Sequence, residues 1–174
     1  MFRKMRRFRQ QLTDSECEEI LTRATSGVLA VYGDEGFPYA VPVSHVYKEG
    51  KIWFHCARQG HKIDAIRRNG KVSFCVIDQD RVMARERTTA YISVIAFGRA
   101  RIVEDEPGLR MIAGLVGEKY SHDFPEECRE ETEEVIAAGT MYGVEITVEH
   151  MTGKCGLEVM KERRRAEAAQ RDVD

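Results

Sequence analysis

IWFHCARQGHKIDAI, residues 52–66, reads as a buried strand that runs straight into a helix. Ile52–Ala57 is apolar and rich in strand formers, and Ile63 and Ile66 then recur at helical spacing. Between them lie Arg58, Gln59, Gly60, His61 and Lys62. A glycine followed by two basic side chains at a helix start suits a phosphate, because the free N–H groups and the helix dipole point at the anion. Lys62 adds a full countercharge. A cation in a first turn opposes the dipole at a cost of a few tenths of a kcal/mol, and a bound phosphate would reverse that sign.

The rest of the chain sets limits on the ligand. With 174 residues, 43% hydrophobic and 32% charged, the chain supports one domain with a substantial core. Residues 1–154 are expected to form that domain, and 155–174 a charged, partly helical tail. The net charge of −2 favours neither nucleic acid nor a membrane surface as partner. Arg3, Lys4, Arg6, Arg7 and Arg9 form a short basic cluster with no apolar segment after it, so a signal peptide is not expected. The five cysteines are widely spaced and form no C-x-x-C pair. That pattern fits free thiols in a reducing cytoplasm.

Working outward, Thr13-Asp14-Ser15-Glu16 has capping-box spacing and opens a helix through Cys17, Ile20, Leu21 and Ala24. Strands are predicted over 28–32, 37–47, 51–57, 71–77, 90–103 and 142–150. The segment 78–89 is polar and reads as an exposed loop. Gly98 inside its strand predicts a bulge or a close backbone approach. Pro107 opens one helix and Pro125 a second, acidic one. Thr152-Gly153-Lys154 is expected to turn the chain out of the sheet. Six mostly antiparallel strands with flanking helices predict a closed or partly closed barrel.

None of the five histidines falls in a metal-binding spacing, so no protein-built metal site is predicted. Neither G-x-G-x-x-G nor G-x-x-x-x-G-K-[ST] occurs, which argues against Rossmann and P-loop nucleotide sites. His55 and Cys56 occupy opposite faces of their strand, three residues or fewer from the phosphate-like junction. His45 is open to two readings, a hydrogen-bonded core residue or a ligand contact. Ser93 is likewise a buried hydroxyl or a donor to a ring carbonyl. A phosphate anchor on a small antiparallel barrel makes flavin mononucleotide (FMN) the leading ligand.

Four segments in order, YAVPVSHVY (39–47), IWFHCARQGHKI (52–63), YISVIAFGRARIV (91–103) and EHMTGK (149–154), resemble the pyridoxamine 5′-phosphate oxidase-like, FMN-binding split-barrel superfamily. Within it they are most similar to the nitroimidazole-resistance branch. The resemblance implies a mainly β, six-stranded antiparallel split barrel and a homodimer with two FMN sites at the interface. It implies that His61 and Lys62, after Gly60, hold the FMN phosphate and that His55 stands beside the flavin as the catalytic candidate. Pro42, Val43 and Ser44 would line the ring edge, with His45, Cys56 and Ala57 on the same two strands. Ser93 would meet the flavin from the partner strand, and Lys154 would contact it from the partner subunit. Met151 replaces a tryptophan common in that branch. The C-terminal Arg/His pattern of true pyridoxamine phosphate oxidases is missing, which disfavours vitamin B6 oxidation. The implied function is a cytoplasmic FMN-dependent oxidoreductase passing electrons from NAD(P)H to a small, nitro-aromatic acceptor. The alternative is a flavin- or haem-binding sensor or store without turnover.

Overall fold

The computed structural model describes residues 1–171. Helix α1 (Asp14–Arg23) begins with the expected capping box, in which the Thr13 hydroxyl accepts from the Glu16 N–H and the Glu16 carboxylate accepts from the Thr13 N–H at 2.8 Å. Thr13→Ala is expected to lower stability by about 1 kcal/mol, the usual worth of such a cap, read from the urea midpoint. Strands β1 (Ser26–Tyr32), β2 (Pro38–Ser44), β3 (Val46–Lys48) and β4 (Lys51–Ala57) follow, then helix α2 (His61–Arg68). Strands β5 (Lys71–Met83) and β6 (Thr88–Val103) form a long hairpin, and α3 (Glu106–Tyr120) and α4 (Pro125–Ala137) form a helical pair. Strand β7 (Met141–Cys155) and helix α5 (Leu157–Arg171) complete the chain.

All pairings are antiparallel, in the order β2-β1-β5-β6-β7-β4-β3. The strand count is seven rather than the expected six. The predicted strand 37–47 breaks at His45, so β2 and β3 lie at opposite edges of one curled, unclosed sheet. The segment 78–89 is not a loop: β5 and β6 continue their ladder through Met83↔Thr88. Its polar residues face solvent on both sides, so no apolar alternation marks it as strand. Residues 152–154 remain in the sheet as well, where Gly153 pairs with Val94 and Lys154 with Ser93. The bulge predicted at Gly98 is present, with a register shift between Phe97 and Gly98. A Cβ at Gly98 would lie 2.2 Å from the Thr147 carbonyl oxygen, which accounts for glycine there.

Alternate residues fill the barrel: Leu29 and Val31 from β1, Ile52 and Phe54 from β4, Phe74 and Val76 from β5, Val94 from β6, and Val144 and Ile146 from β7. Each large side chain removed from water contributes about 1.5–3 kcal/mol. Ile20 and Leu21 of α1, and Ile63 and Ile66 of α2, join the same core. A second cluster, Val46, Trp53, Val103 and Ile112, fastens α3 to the outer side of β4. Among the described residues no helix is long and apolar enough to cross a membrane.

Candidate functional site

Strand β4 pairs with β7 along its whole length but with β3 only over Lys51–Trp53. Strand β2 pairs with β1 alone. The outer edges of β2 and of Phe54–Ala57 are therefore both unpaired, leaving a slot in the barrel wall whose backbone groups need partners. The first turn of α2 touches both sides of this slot. His61 stacks on Tyr39 of β2, with ring centroids 4.1 Å apart and planes 23° apart. On the β4 side, the Lys62 ammonium pulls down the Cys56 thiol pKa, against the larger upward push of burial.

The turn itself leaves backbone donors open. Gly60 adopts φ 130°, a conformation side chains other than glycine rarely take. Its carbonyl accepts from Ile63 N–H at 2.9 Å and Asp64 N–H at 3.2 Å, leaving the amides of His61 and Lys62 at the open end. Lys62 is half-buried and makes no hydrogen bond or ion pair among the described residues. The Nε2 atom of His61 is sealed from solvent without a hydrogen-bond partner, 3.5 Å from Asp34 Oδ2. Asp34 Oδ1 in turn accepts from Arg68 at 2.6 Å. Free amides and an ammonium unpaired among the described residues fit a phosphate group. Arg58 is not part of this set. It turns away to donate to the Gly139 carbonyl at 2.8 Å and the Tyr142 hydroxyl at 3.1 Å.

Of the other candidates, Ala57 is exposed beside the slot, as are Pro42 and Ser44, while Val43 is half-buried against the core. His55 projects outward from β4, opposite in direction to Cys56, and its Nδ1 lies 3.2 Å from Met141 Sδ. Desolvation by its neighbours holds the His55 pKa below the ordinary value, although one side of the ring meets solvent and Glu131 pulls it upward. Its ring is therefore neutral at pH 7.

His45 is completely buried at the crossing from β2 to β3. Its Nε2 contacts the Leu21 carbonyl at 3.0 Å and its N–H donates to the Tyr120 hydroxyl at 2.9 Å. Tyr120 donates to the Thr25 carbonyl at 2.6 Å, and Lys119 Nζ donates to the Ala24 and His45 carbonyls at 2.6 and 3.0 Å. These groups satisfy the last carbonyls of α1 and fasten the crossing to the C-terminus of α3. Burial, followed by the Lys119 charge, pushes the His45 pKa down to about 4, against the raising effect of the Leu21 carbonyl. The structure thus gives His45 a core environment.

Ser93 and Lys154 face each other across β6 and β7, but at the end of the barrel that α1 closes. There Gln11 bridges to Lys154 and Leu12 N–H donates to the Gly153 carbonyl at 3.0 Å. A single chain does not bring them to Lys62. They belong instead to the outer face of the sheet, where Pro42, Val28, Cys75, Ile95 and Thr152 form one row across five strands. Val28, Ile77, Ile95 and Phe97 are exposed on this face at 37–63%. Sequence reasoning missed Asp34, Tyr39, Lys119 and Tyr120. The Gly33–Gly36 turn signal was visible, but nothing local links it to a helix 27 residues later.

A seven-stranded, unclosed antiparallel sheet with flanking helices, split at the edge where α2 begins, defines a split-barrel fold. The chain belongs to the pyridoxamine 5′-phosphate oxidase family, whose model matches residues 13–155. A conserved hypothetical protein from Mycobacterium tuberculosis has the same fold, with TM-score 0.70 and 23% identity over 83% of this chain and 85% of that one. A 5-nitroimidazole antibiotic resistance protein from Bacteroides thetaiotaomicron superposes with TM-score 0.68 and 20% identity, over 83% and 85% of the two chains. An FAD and haem binding protein from Mycobacterium smegmatis does so with TM-score 0.67 and 16% identity, over 85% and 74%. No curated protein sequence matches the chain.

Proposed function

We propose that this protein binds FMN and acts as a cytoplasmic FMN-dependent oxidoreductase, taking electrons from NAD(P)H and reducing a small, nitro-aromatic acceptor. The observation that carries this reading is the half-buried Lys62 ammonium, unpaired among the described residues, beside the His61 imidazole at the start of α2. Together with the two open amides they supply the charge and donors that a phosphate monoester needs. The unpaired edges of β2 and β4, with Pro42, Ser44 and Ala57, offer backbone groups to a planar ring. FMN, when bound, supplies the two-electron chemistry. His55, being neutral, orients the acceptor through a hydrogen bond rather than delivering a proton.

A homodimer completes this reading. The exposed row Val28–Cys75–Ile95 needs cover, and a second copy would bring Ser93 and Lys154 to the neighbouring slot. Ile95→Asp, which places a charge in that row, is expected to sediment as a monomer and to lose flavin. A dimer that survives this change would overturn the proposed interface. The five free cysteines suit a reducing compartment.

The test of function is flavin absorbance in the purified protein, followed by NADPH consumption with and without a nitro-aromatic acceptor. Acceptor-dependent consumption above the rate of free FMN is expected. Bound flavin without turnover would leave the sensor or store reading, and a Soret band would replace flavin with haem.

A further inference from the structure

We infer that Asp34 and Tyr39, both from the first hairpin, are positioning residues that fix which nitrogen of His61 meets the ligand phosphate. This deepens the flavin reading and rests on it. The two act on His61 from different directions. Tyr39 lies against the ring face at 4.1 Å, which restricts rotation of the ring plane. Asp34 Oδ2 faces Nε2 at 3.5 Å, and this nitrogen is sealed from solvent. The facing carboxylate holds a proton on Nε2, and a phosphate oxygen, itself an acceptor, requires a second N–H on Nδ1, so the ring meets the ligand as an imidazolium donating from both nitrogens. Nδ1 is then the nitrogen presented to the open side of the helix start.

The charges around the ring support this arrangement. Arg68 binds the other oxygen of Asp34 at 2.6 Å, so the carboxylate is held in place and largely compensated. Lys62 stands next to His61 on the same turn, and the Tyr39 phenol is the only titratable group that β2 places against the ring among the described residues. The anchor therefore spans two elements: α2 supplies the amides and the ammonium, and the β1–β2 turn sets the imidazole. The 3.5 Å separation is longer than a hydrogen bond, and a small closing movement on ligand binding would satisfy the orphaned nitrogen.

The sign of one substitution tests this. Coulomb's law alone predicts that Asp34→Ala, by removing a negative charge near the phosphate, tightens FMN binding. The positioning role predicts the opposite, a loss of about tenfold in FMN affinity. Riboflavin, which lacks the phosphate, should bind the wild type and the variant equally. Nitrogen-15 spectra should show His61 losing the Nε2 proton in Asp34→Ala but keeping it in Arg68→Gln, where the carboxylate remains. Tyr39→Leu should broaden the His61 ring signals and lower FMN affinity without affecting riboflavin. Unchanged or tighter FMN binding in Asp34→Ala, with wild-type preference for FMN over riboflavin intact, would overturn this inference alone. A wild type that binds FMN and riboflavin equally well would overturn the phosphate reading and the inference together.

Discussion

Lys62→Ala is expected to weaken FMN binding by roughly 10- to 150-fold, the equivalent of 1.5–3 kcal/mol for a charge-assisted hydrogen bond. The lysine is half-buried and has no carboxylate partner among the described residues, so its charge is available to a ligand. In the free protein the same ammonium opposes the α2 dipole, so removing it should leave stability unchanged or raise it by a few tenths of a kcal/mol. The two measurements thus move in opposite directions, which separates loss of a ligand contact from loss of fold. Fluorescence titration with FMN and urea unfolding of the flavin-free protein would read them. Unchanged FMN affinity would remove the phosphate assignment, and with it the proposed function.

The second large effect concerns acid. His45 titrates near pH 6.5 in an unfolded chain and is pushed down to about 4 in the folded one. Between those values the unfolded state binds a proton that the native state does not. The stability this group contributes is therefore complete above about pH 6.5, declines as pH falls, and is gone by about pH 4. At about 1.4 kcal/mol per pH unit the loss is about 3 kcal/mol. Protonation would place an imidazolium near Lys119 and add a second N–H, without a partner, to a ring sealed in the core. Urea midpoints from pH 8 to 4.5 should show this decline, and His45→Gln should flatten it between pH 6.5 and 5, above the range where carboxylates dominate. A wild-type profile flat over that interval would show that the His45 ring tolerates charge.

Because Tyr120 and Lys119 fasten the same crossing, loss of structure there should also open the slot. Flavin release on acidification is therefore expected to track unfolding around His45.

Much of the architecture was legible locally. The capping box at Thr13, the strand–helix junction at Gly60, the bulge at Gly98 and the two proline-led helices are all set by residues within one or two turns of chain. Less legible was the exposed hairpin of β5 and β6. Its residues face water on both sides, so the ladder carries no period-two hydrophobic signal. The break at His45 was hidden for a different reason. Its cause is a set of hydrogen bonds from residues 75 positions away, which no local pattern announces.

By itself the amino-acid sequence determined the antiparallel β class, the strand-to-helix junction at Gly60 and the identity of its charged groups, because each depends on propensities and spacings between near neighbours. Only the tertiary structure decided which of those groups are free. It paired Arg58 with Gly139 and Tyr142, buried His45 beneath α1 and α3, and left Lys62 without a partner among the described residues. It also set Asp34 against His61 and placed Ser93 and Lys154 together on the outer face of the sheet, away from Lys62. Such outcomes depend on distances between residues far apart in the chain, and those distances are fixed by the packing of the closed core.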